Sequence, residues 1–488
     1  MAFNLRKPPQ LTPKMEAYPY QLDTLKAICD LPHAAIFHEQ GLGKTKIAID
    51  LALYWLECDI VDTIFIITKK ALVQNWLNEF ETHSHVKPRV LSDNKQANNF
   101  AFNAPVLIYI LNYEVISSNY EIIKLFLKTC RVGAILDESQ KIKNPDTKLT
   151  SNFLDIADNF PRKIIMTGTP VANRPFDIWS QIKFLDDGKA LGNSFVKFKE
   201  ATDLPDNGAN KEGQYAAGLA SIMQKIKGFS IRETKDSSGL ELPQKSIKTH
   251  HVEMEPAQQK IYNNYQNELA HEFEQDGQLI HDEAESVLKR LLRLVQCASN
   301  PLLVDATYKF TPCKFTKLEG LLASLNLQEN KVIIWSSFIE NVNWLSKQLN
   351  IYKPVRIHGS RSIDERNRAI EKFKTDSSCR ILIATPGAAK EGLTLTVANH
   401  AIFYDRSFSL DDYLQAQDRI HRISQTQECF VHNLIAVDTI DEWVDRLLYA
   451  KHQAAQLAQG DIDETCFNRE MDFNLSEALQ EILGTTTT

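Results

Sequence analysis

Short apolar runs alternate with amphipathic stretches in the first part of the chain. The runs have the length of β-strands and are rich in β-branched and aromatic residues; they lie at 34–38, 63–68, 106–111, 134–138 and 163–169. Strands that alternate with helices form parallel sheets, because a parallel pair needs a long crossover connection and that crossover is usually a helix. The pattern therefore predicts an α/β domain with a parallel sheet.

The same pattern begins again in the second part, with apolar runs at 332–336, 355–358, 381–385, 401–405 and 430–434. A polar, turn-rich segment (ETKDSSGLELPQK) separates the two series and is typical of a linker. The predicted organisation is a first lobe at 1–232, a linker at 233–246, a second lobe at 247–460 and an acidic tail at 461–488, to which we assign no function. Each lobe carries a helical protrusion, at about 176–230 in the first and about 256–310 in the second. Ligands of open parallel sheets bind beyond the carboxyl ends of the strands. Two such lobes could therefore clamp one ligand, and turnover of the ligand would open and close the clamp.

Composition narrows the class of protein. No apolar run approaches the roughly 20 residues that span a bilayer, and residues 1–10 lack the apolar core of a signal peptide, so we expect a cytosolic protein without a membrane partner. The eight cysteines are scattered, with no paired spacing typical of zinc ligands, so we expect reduced thiols and no structural zinc. The net charge of −7 gives no support to nucleic-acid binding, which would need a local basic strip.

A glycine-rich loop follows the first apolar run. Gly41-Leu42-Gly43-Lys44-Thr45 stands between a predicted strand and a predicted helix, the context of a phosphate-binding loop. The glycines let backbone N–H groups surround phosphates, Lys44 neutralises the β- and γ-phosphate charge, and the Thr45 hydroxyl can bind Mg²⁺. The first glycine of the general pattern is replaced by His38. A plain glycine-rich turn before a core helix is the alternative.

Two further clusters offer chemistry. Asp137 and Glu138 end an apolar run, where Asp137 would hold Mg²⁺ and Glu138 would polarise the attacking water. Arg419 and Arg422, three residues apart on one predicted helix face, would stabilise a phosphoryl transition state from the second lobe. Taken alone, a strand that ends in Asp-Glu is more commonly a solvated edge, and a run such as that around Arg419 and Arg422 is more commonly a solvated basic helix face. Glu39 together with Asp137 and Glu138 could instead form a metal site without a nucleotide. No further ligand cluster or histidine pair in the sequence supports that alternative.

The motifs, taken together and in order, resemble those of the Swi/Snf family of DNA translocases in helicase superfamily two. The matching stretches are Tyr20-Gln21, TKKALVQNWLNEF at 68–80, DESQKIKN at 137–144, MTGTPVANRPFDIWSQIKFL at 166–185, 229–245 with Ile231-Arg232 and Leu242-Pro243, LRLVQCASNP at 292–301, RIHGS at 356–360, TPGAAKEGLTLT at 385–396 and 415–425. The resemblance runs from about residue 18 to 445, and the compactness of the chain resembles short members of the family in bacteria and their phages. It implies two RecA-like lobes, use of ATP with Mg²⁺, double-stranded DNA as partner, and a monomer.

The resemblance also assigns roles. Gln21 would read the adenine, Gln140 would relay to the coupling threonines Thr167 and Thr169, and Arg419 and Arg422 would be the arginine fingers. The implied ATP-binding residues are Gln21, Gln40, Gly41, Leu42, Gly43, Lys44, Thr45, Lys46, Gly392 and Gln415. The implied DNA contacts, made to phosphates rather than bases, are Lys69, Lys70, Gln74, Lys141, Lys143, Asn144, Arg174, Ser336, Ser337, His358, Ser360, Arg361 and Lys390. Any one of these lysines is individually more often an ordinary surface charge.

The chain departs from the family pattern at a few positions. His38 and Gln40 replace an Asp and a Met, Glu233 replaces an arginine, and Ser139-Gln140 replaces Ala-His. These changes leave the catalytic residues in place, but Gln140 would have to replace the histidine that relays to the coupling threonines. The expected function is a DNA-dependent ATPase that translocates on duplex DNA. Two alternatives are a strand-separating or annealing helicase and a DNA scaffold that holds ATP without turnover.

Overall fold

The computed structural model describes residues 10–171, 173–202, 212–276, 284–389, 394–470 and 482. The chain forms two compact units. The first comprises Met1–Asp203, Ala217–Leu240 and Ala458–Asp461, and the second comprises Leu204–Ala216, Glu241–Leu457 and Ile462–Thr488. The main division, between Leu240 and Glu241, falls inside the segment that the sequence predicts as a linker.

The first unit is built on a seven-stranded sheet in which every pairing is parallel. In chain order the helices and strands up to the main division are α1 (Pro19–Ile28), β1 (His33–Ile36), α2 (Lys44–Glu57), β2 (Thr63–Thr68), α3 (Val73–His83), β3 (Arg89–Val90), α4 (Lys95–Asn103), β4 (Ile108–Asn112), α5 (Tyr113–Ser118), α6 (Tyr120–Thr129), β5 (Val132–Asp137), α7 (Lys148–Ile156), β6 (Arg162–Met166), α8 (Trp179–Asp186), α9 (Phe195–Thr202), α10 (Glu212–Ile226) and β7 (Ser230–Ile231). The strand order is β3-β4-β2-β5-β6-β1-β7.

The second unit is built on a six-stranded sheet, again with parallel pairings throughout. The elements after the main division are β8 (Lys245–Val252), α11 (Pro256–Asp276), α12 (Ala284–Ser299), α13 (Cys313–Ser324), β9 (Val332–Trp335), α14 (Ile339–Gln348), β10 (Val355–Ile357), α15 (Ile363–Thr375), β11 (Ile381–Ala384), α16 (Pro386–Ala389), β12 (His400–Phe403), α17 (Leu410–Gln417), β13 (Cys429–Ala436), α18 (Ile440–Gln459) and α19 (Glu464–Glu470). The strand order is β10-β11-β9-β12-β13-β8.

The apolar runs form strands because both faces of each sheet are covered. All six residues of β2 (TIFIIT) and all four of β9 (VIIW) are buried, as expected for central strands of a helix-covered parallel sheet. All ten strands predicted from the sequence are present, with ends that differ by a few residues. The fold class predicted from the sequence is therefore confirmed.

Three strands were not predicted. β3 and β7 have two residues each, too few to show a pattern in the sequence. β8 begins at Lys245, so the predicted linker overlaps its first two residues. The reason is that β8 (KSIKTHHV) lies at the end of the second sheet and is largely exposed or half-buried, so it lacks the apolar run of a central strand.

All eight cysteines lie in the described part of the chain, and all are free thiols. Within the described residues there is no group of His, Cys, Asp and Glu side chains arranged to hold a metal ion. None of the described helices is both long and apolar enough to cross a bilayer.

Three histidines form a hydrogen-bonded row across the second sheet. His432 on β13 is bonded to His250 on β8 at 3.0 Å and to His400 on β12 at 3.1 Å, and the three rings are stacked. Burial is the main cause that lowers the pKa of His432 to about 3 and that of His400 to about 4. Both imidazoles are therefore neutral in the folded protein at neutral pH.

This row predicts loss of stability in mild acid. The pKa values of His432 and His400 are depressed on folding, so their contribution is present above the unfolded pKa of about 6.5 and is lost as pH falls toward the folded values. Between pH 7 and pH 5 the free energy of unfolding should fall by about 2 kcal/mol for each buried histidine. Urea unfolding of the native chain and of His432→Gln at both pH values measures this. An equal loss of stability in the two proteins would contradict the prediction.

Candidate functional site

The register of the first sheet brings three strand ends together. Ile36 pairs with Met166, and Met166 pairs with Asp137 on the next strand. The loop after β1, the carboxylates after β5 and the segment after β6 therefore start side by side at the carboxyl edge of the sheet. Side chains that ligands could use are gathered at this edge because the strands themselves are buried on both faces.

The loop after β1 has the conformation of an anion-binding loop. Gly41 and Gly43 have positive φ angles of 89° and 67°, which glycine adopts without steric cost. Gly43 is the N-cap of α2, and Lys44 is its first residue. The Lys44 ammonium donates to the carbonyl oxygens of His38 at 2.9 Å and Glu39 at 3.2 Å. The loop thus combines a helix N-terminus with a fixed cation, an arrangement suited to phosphate.

Helix α1 is attached to this loop by side chains. The Tyr20 hydroxyl donates to the Leu42 carbonyl at 2.9 Å, and the Gln21 amide donates to the same carbonyl at 3.3 Å. The Gln21 oxygen accepts from the Tyr18 N–H at 3.0 Å. Gln21 is buried against the loop, and a methyl group on Gly43 would lie 2.5 Å from its amide nitrogen. Its role in reading a base stays a prediction.

His38, which stands in place of the family's Asp, makes a second attachment to α1. Its Nε2 lies 2.8 Å from the Thr24 hydroxyl, which itself donates to the Tyr20 carbonyl. The threonine oxygen must therefore accept, so His38 carries its proton on Nε2. His38 is fully buried, and burial is the main cause that lowers its pKa to about 3. A neutral histidine thus joins the end of β1 to the helix that bears Gln21.

Other residues of the loop contact neighbouring segments. Gln40 packs on the turn after β6, where a methyl group on Gly168 would lie 2.4 Å from Gln40 Cγ and 3.2 Å from its backbone nitrogen. Lys46 is buried and pairs with Asp50 one helical turn further along α2. The ammonium of Lys46 is therefore engaged within the helix, and its assignment to ATP stays a prediction. Thr45 lies in the first turn of α2.

Asp137 is held by three groups that the sequence did not identify. Its Oδ2 accepts from the Thr68 hydroxyl at 3.0 Å and from the Trp76 indole at 2.8 Å, and its carbonyl accepts from the Tyr113 hydroxyl. Burial and then the neighbouring Glu138 raise the pKa of Asp137 to about 6. A divalent cation at this carboxylate would oppose both effects. Thr68 ends β2, Trp76 lies on α3 and Tyr113 begins α5; the first two fall in the matching stretch 68–80, and Tyr113 falls in none.

Glu138 has a strained backbone. Its φ of 54° lies in the left-handed region, which is uncommon for a residue with a side chain. The Gln140 amide donates to the Glu138 carboxylate. The Thr167 hydroxyl accepts from the Thr169 N–H at 3.2 Å. The relay from Gln140 to these threonines stays a prediction.

The two arginines of the second unit do not lie on a helix, and this part of the prediction was wrong. Helix α17 ends at Gln417, and Arg419 and Arg422 lie in the turns that follow. In this region the Gln425 amide shares its two hydrogens among the carbonyls of Thr396, Ala398 and Ile420, which ties the turn to the segment before β12.

Each of these side chains has a defined place. Arg419 is almost fully buried, and Arg422 donates to the Asp418 carbonyl and to the Thr394 hydroxyl. The amide of Gln415, on α17, donates to Asp411 at 2.7 Å. Gly392 and Lys390 lie outside the described residues.

Asp405 ties together two segments of the second unit. Its carboxylate accepts from the hydroxyls of Ser299 and Ser336 at 2.8 and 2.7 Å, and from the Ser337 N–H at 2.6 Å. Asn341 donates to Asp405 and to Ser299. Ser336 is buried with its hydroxyl engaged, so in this structure it supports the loop after β9. Its predicted contact with DNA is untested.

The predicted phosphate contacts of the first unit lie around the carboxyl edge of the sheet, and three are paired with carboxylates. Lys70 pairs with Asp93 at 2.7 Å, Lys141 with Glu114 at 3.0 Å, and Lys143 with Asp177 at 2.8 Å. Of the other predicted contacts in this unit, Gln74 and Asn144 are exposed and Lys69 is half-buried. Arg174 lies over the Phe176 ring.

The predicted phosphate contacts of the second unit differ in exposure. Ser360 is exposed and Arg361 is half-buried. His358 is buried, and burial is the main cause that lowers its pKa.

Two family models match the chain. The SNF2-related domain matches residues 21–303, and the helicase conserved C-terminal domain matches residues 313–424. An uncharacterized ATP-dependent helicase of Mycoplasma pneumoniae is 28% identical, over 85% of this chain and 39% of that protein. A putative ATP-dependent helicase/translocase of Bacillus subtilis, YwqA, is 28% identical, over 86% of this chain and 45% of that protein.

The chain spans about two fifths of the length of the curated relatives it matches. Among solved structures, it is similar to the Sulfolobus solfataricus SWI2/SNF2 ATPase core in complex with dsDNA. That likeness has 24% identity and a TM-score of 0.42, and covers 98% of this chain and 99% of the other.

The close packing of Gly168 on Gln40 predicts that Gly168→Ala distorts the phosphate loop. The added methyl group has no room unless the loop shifts, so binding of a fluorescent ATP analogue should weaken roughly tenfold. Gly228→Ala is the control, since a methyl group there would meet open space. Unchanged nucleotide affinity in Gly168→Ala would show that this contact does not shape the loop.

Proposed function

Because the chain belongs to the SNF2-related family, we propose that it is a DNA-dependent ATPase that translocates on double-stranded DNA. The observation that carries the proposal is the convergence of the Lys44 loop, Asp137 and Glu138 at one edge of the first sheet. Phosphoryl transfer needs positioning and charge stabilisation more than covalent chemistry, and this edge offers both. A cytosolic location and a monomeric state remain predictions.

The roles within the ATP site follow from the contacts. Lys44 neutralises the β- and γ-phosphates, and the N–H groups of the Gly41–Gly43 turn surround them. Asp137 would fit a magnesium ligand, because Thr68 and Trp76 donate to its Oδ2 and restrain the carboxylate, and because a divalent cation would oppose the effects that raise its pKa. Mg²⁺ held there and by the Thr45 hydroxyl would supply neutralisation of the phosphate charge. Glu138, on its left-handed backbone, orients the attacking water.

In this proposal the arginine fingers come from the second unit. Arg419 and Arg422 stabilise the charge that develops on the transferred phosphoryl group, a contribution of about 10³–10⁵ in rate where such residues have been studied. The Gln425 amide bonds to the Ile420 carbonyl, between the two arginines in the chain, and so restrains the backbone that carries them. Gln415 and Gly392 belong to the same proposed nucleotide site. Cycles of ATP binding and hydrolysis would move the chain along the duplex.

The first test is ATP hydrolysis in the steady state without nucleic acid and with single-stranded DNA, duplex DNA or duplex RNA. Duplex DNA should stimulate the native chain most, and Lys44→Ala should lose nearly all activity because the phosphate charge is no longer neutralised. Lys128→Ala, a change of an exposed lysine on α6, is the matched control. Native activity equal to that of Lys44→Ala would favour an ATP-holding scaffold. Stimulation by single strands alone would favour a strand-separating helicase.

The ion pairs at the proposed DNA contacts make a second prediction. A phosphate that binds Lys70 or Lys141 must displace Asp93 or Glu114 and approach that negative charge. Glu114→Gln should therefore tighten duplex binding by roughly three- to tenfold, measured by fluorescence anisotropy at low salt. Asp155→Asn makes the same change of net charge beside Lys124, which is outside the proposed DNA surface. Equal affinity of the two variants would count against this DNA surface.

A further inference from the structure

A buried hydrogen bond joins the segment after β5 to helix α8. The Ser139 hydroxyl donates to the Gln181 side-chain oxygen at 2.6 Å, and both residues are fully buried. Ser139 directly follows Glu138, the residue assigned to the attacking water. The bond therefore starts one residue from the proposed chemistry, in a place where no water competes for it.

The direction of this bond is fixed by the other contacts of Gln181. Its amide nitrogen donates to the Asp177 carbonyl at 2.9 Å and, more weakly, to the Pro170 carbonyl at 3.4 Å. With both amide hydrogens directed to carbonyls, the side-chain oxygen must accept and Ser139 must donate. Pro170 directly follows the Thr167-Gly168-Thr169 turn, so Gln181 touches both the carboxylate segment and the turn that packs on the phosphate loop.

Helix α8 and the turn that precedes it reach a proposed DNA contact. Asp177, whose carbonyl accepts from Gln181, pairs through its carboxylate with Lys143 at 2.8 Å. The neighbouring Ser180 hydroxyl donates to the Lys143 carbonyl at 3.1 Å. A continuous set of contacts therefore runs from Glu138 through Ser139, Gln181 and Asp177 to Lys143.

We propose that Ser139 and Gln181 are positioning residues that couple the ATP carboxylates to the DNA-binding surface in this chain. The inference rests on the proposed function, since it concerns how duplex DNA stimulates hydrolysis. A change in the strained backbone of Glu138 moves Ser139 through their shared peptide, and the buried bond passes this movement to α8 and Lys143. In the reverse direction, a phosphate at Lys143 releases Asp177 and shifts Gln181, which alters the position of Glu138. Coupling of this kind is reciprocal.

Ser139→Ala tests the bond with the smallest possible change. The variant keeps Lys44, Asp137, Glu138 and Lys143, so the fold stimulation of ATP hydrolysis by duplex DNA should drop roughly five- to tenfold. The drop should appear in the stimulated kcat, with the DNA concentration for half-maximal stimulation little changed. Ser139→Thr, which keeps the hydroxyl, should restore stimulation at least in part. Ser84→Ala, another buried serine with a hydrogen-bonded hydroxyl in the first unit, is the matched control.

A double-mutant cycle separates coupling from general damage to the fold. If the bond carries the coupling, Gln181→Met lowers stimulation as Ser139→Ala does, and the double variant is no worse than either single variant. Should Gln181→Met fail to fold, Ser139→Ala beside Ser84→Ala decides the matter alone. The inference is overturned if Ser139→Ala is stimulated like the native chain, or if its basal and stimulated rates fall in parallel. A native chain that duplex DNA does not stimulate at all overturns the proposed function, and this inference with it.

Discussion

A parallel sheet covered by helices on both faces leaves one place for polar chemistry, the ends of its strands. In the first unit β2 is buried along its whole length, and the pairing of Ile36, Met166 and Asp137 aligns the ends of three strands. The glycine loop, the two carboxylates and the Thr-Gly-Thr turn leave the sheet from these points. Their proximity therefore follows from strand register.

Burial at that edge also sets the electrostatics. Burial, and then the charge of the neighbouring Glu138, raise the pKa of Asp137. The hydrogen bonds that Trp76 and Thr68 donate to its carboxylate oppose this rise. The Lys44 ammonium donates to two carbonyl oxygens of the loop, and a carbonyl oxygen is a weaker partner for an ammonium than a phosphate oxygen is. The edge is therefore prepared for a ligand that brings negative charge together with a cation, as a nucleotide with its metal does.

The sequence predicted the central strands because burial on both faces requires continuous apolar runs. It did not predict β8, whose exposed position at the end of the sheet removes that requirement. The positions of Lys44, Asp137 and Glu138 could be predicted because local strand–loop–helix patterns place them. The turn that holds Arg419 could not, since Gln425 bonds there to the Ile420 carbonyl and also to carbonyls of the distant segment before β12. The Ser139–Gln181 bond joins residues 42 positions apart, and only the packed structure reveals it.

The central claim is that ATP hydrolysis moves this chain along duplex DNA. Displacement of a fluorescent third strand from a DNA triplex measures that movement directly, because a protein that advances along the duplex strips the strand ahead of it. The account predicts ATP-dependent displacement by the native chain, slower when the duplex track leading to the triplex is longer, and none by Lys44→Ala. Hydrolysis stimulated by duplex DNA with no displacement of the third strand would contradict it.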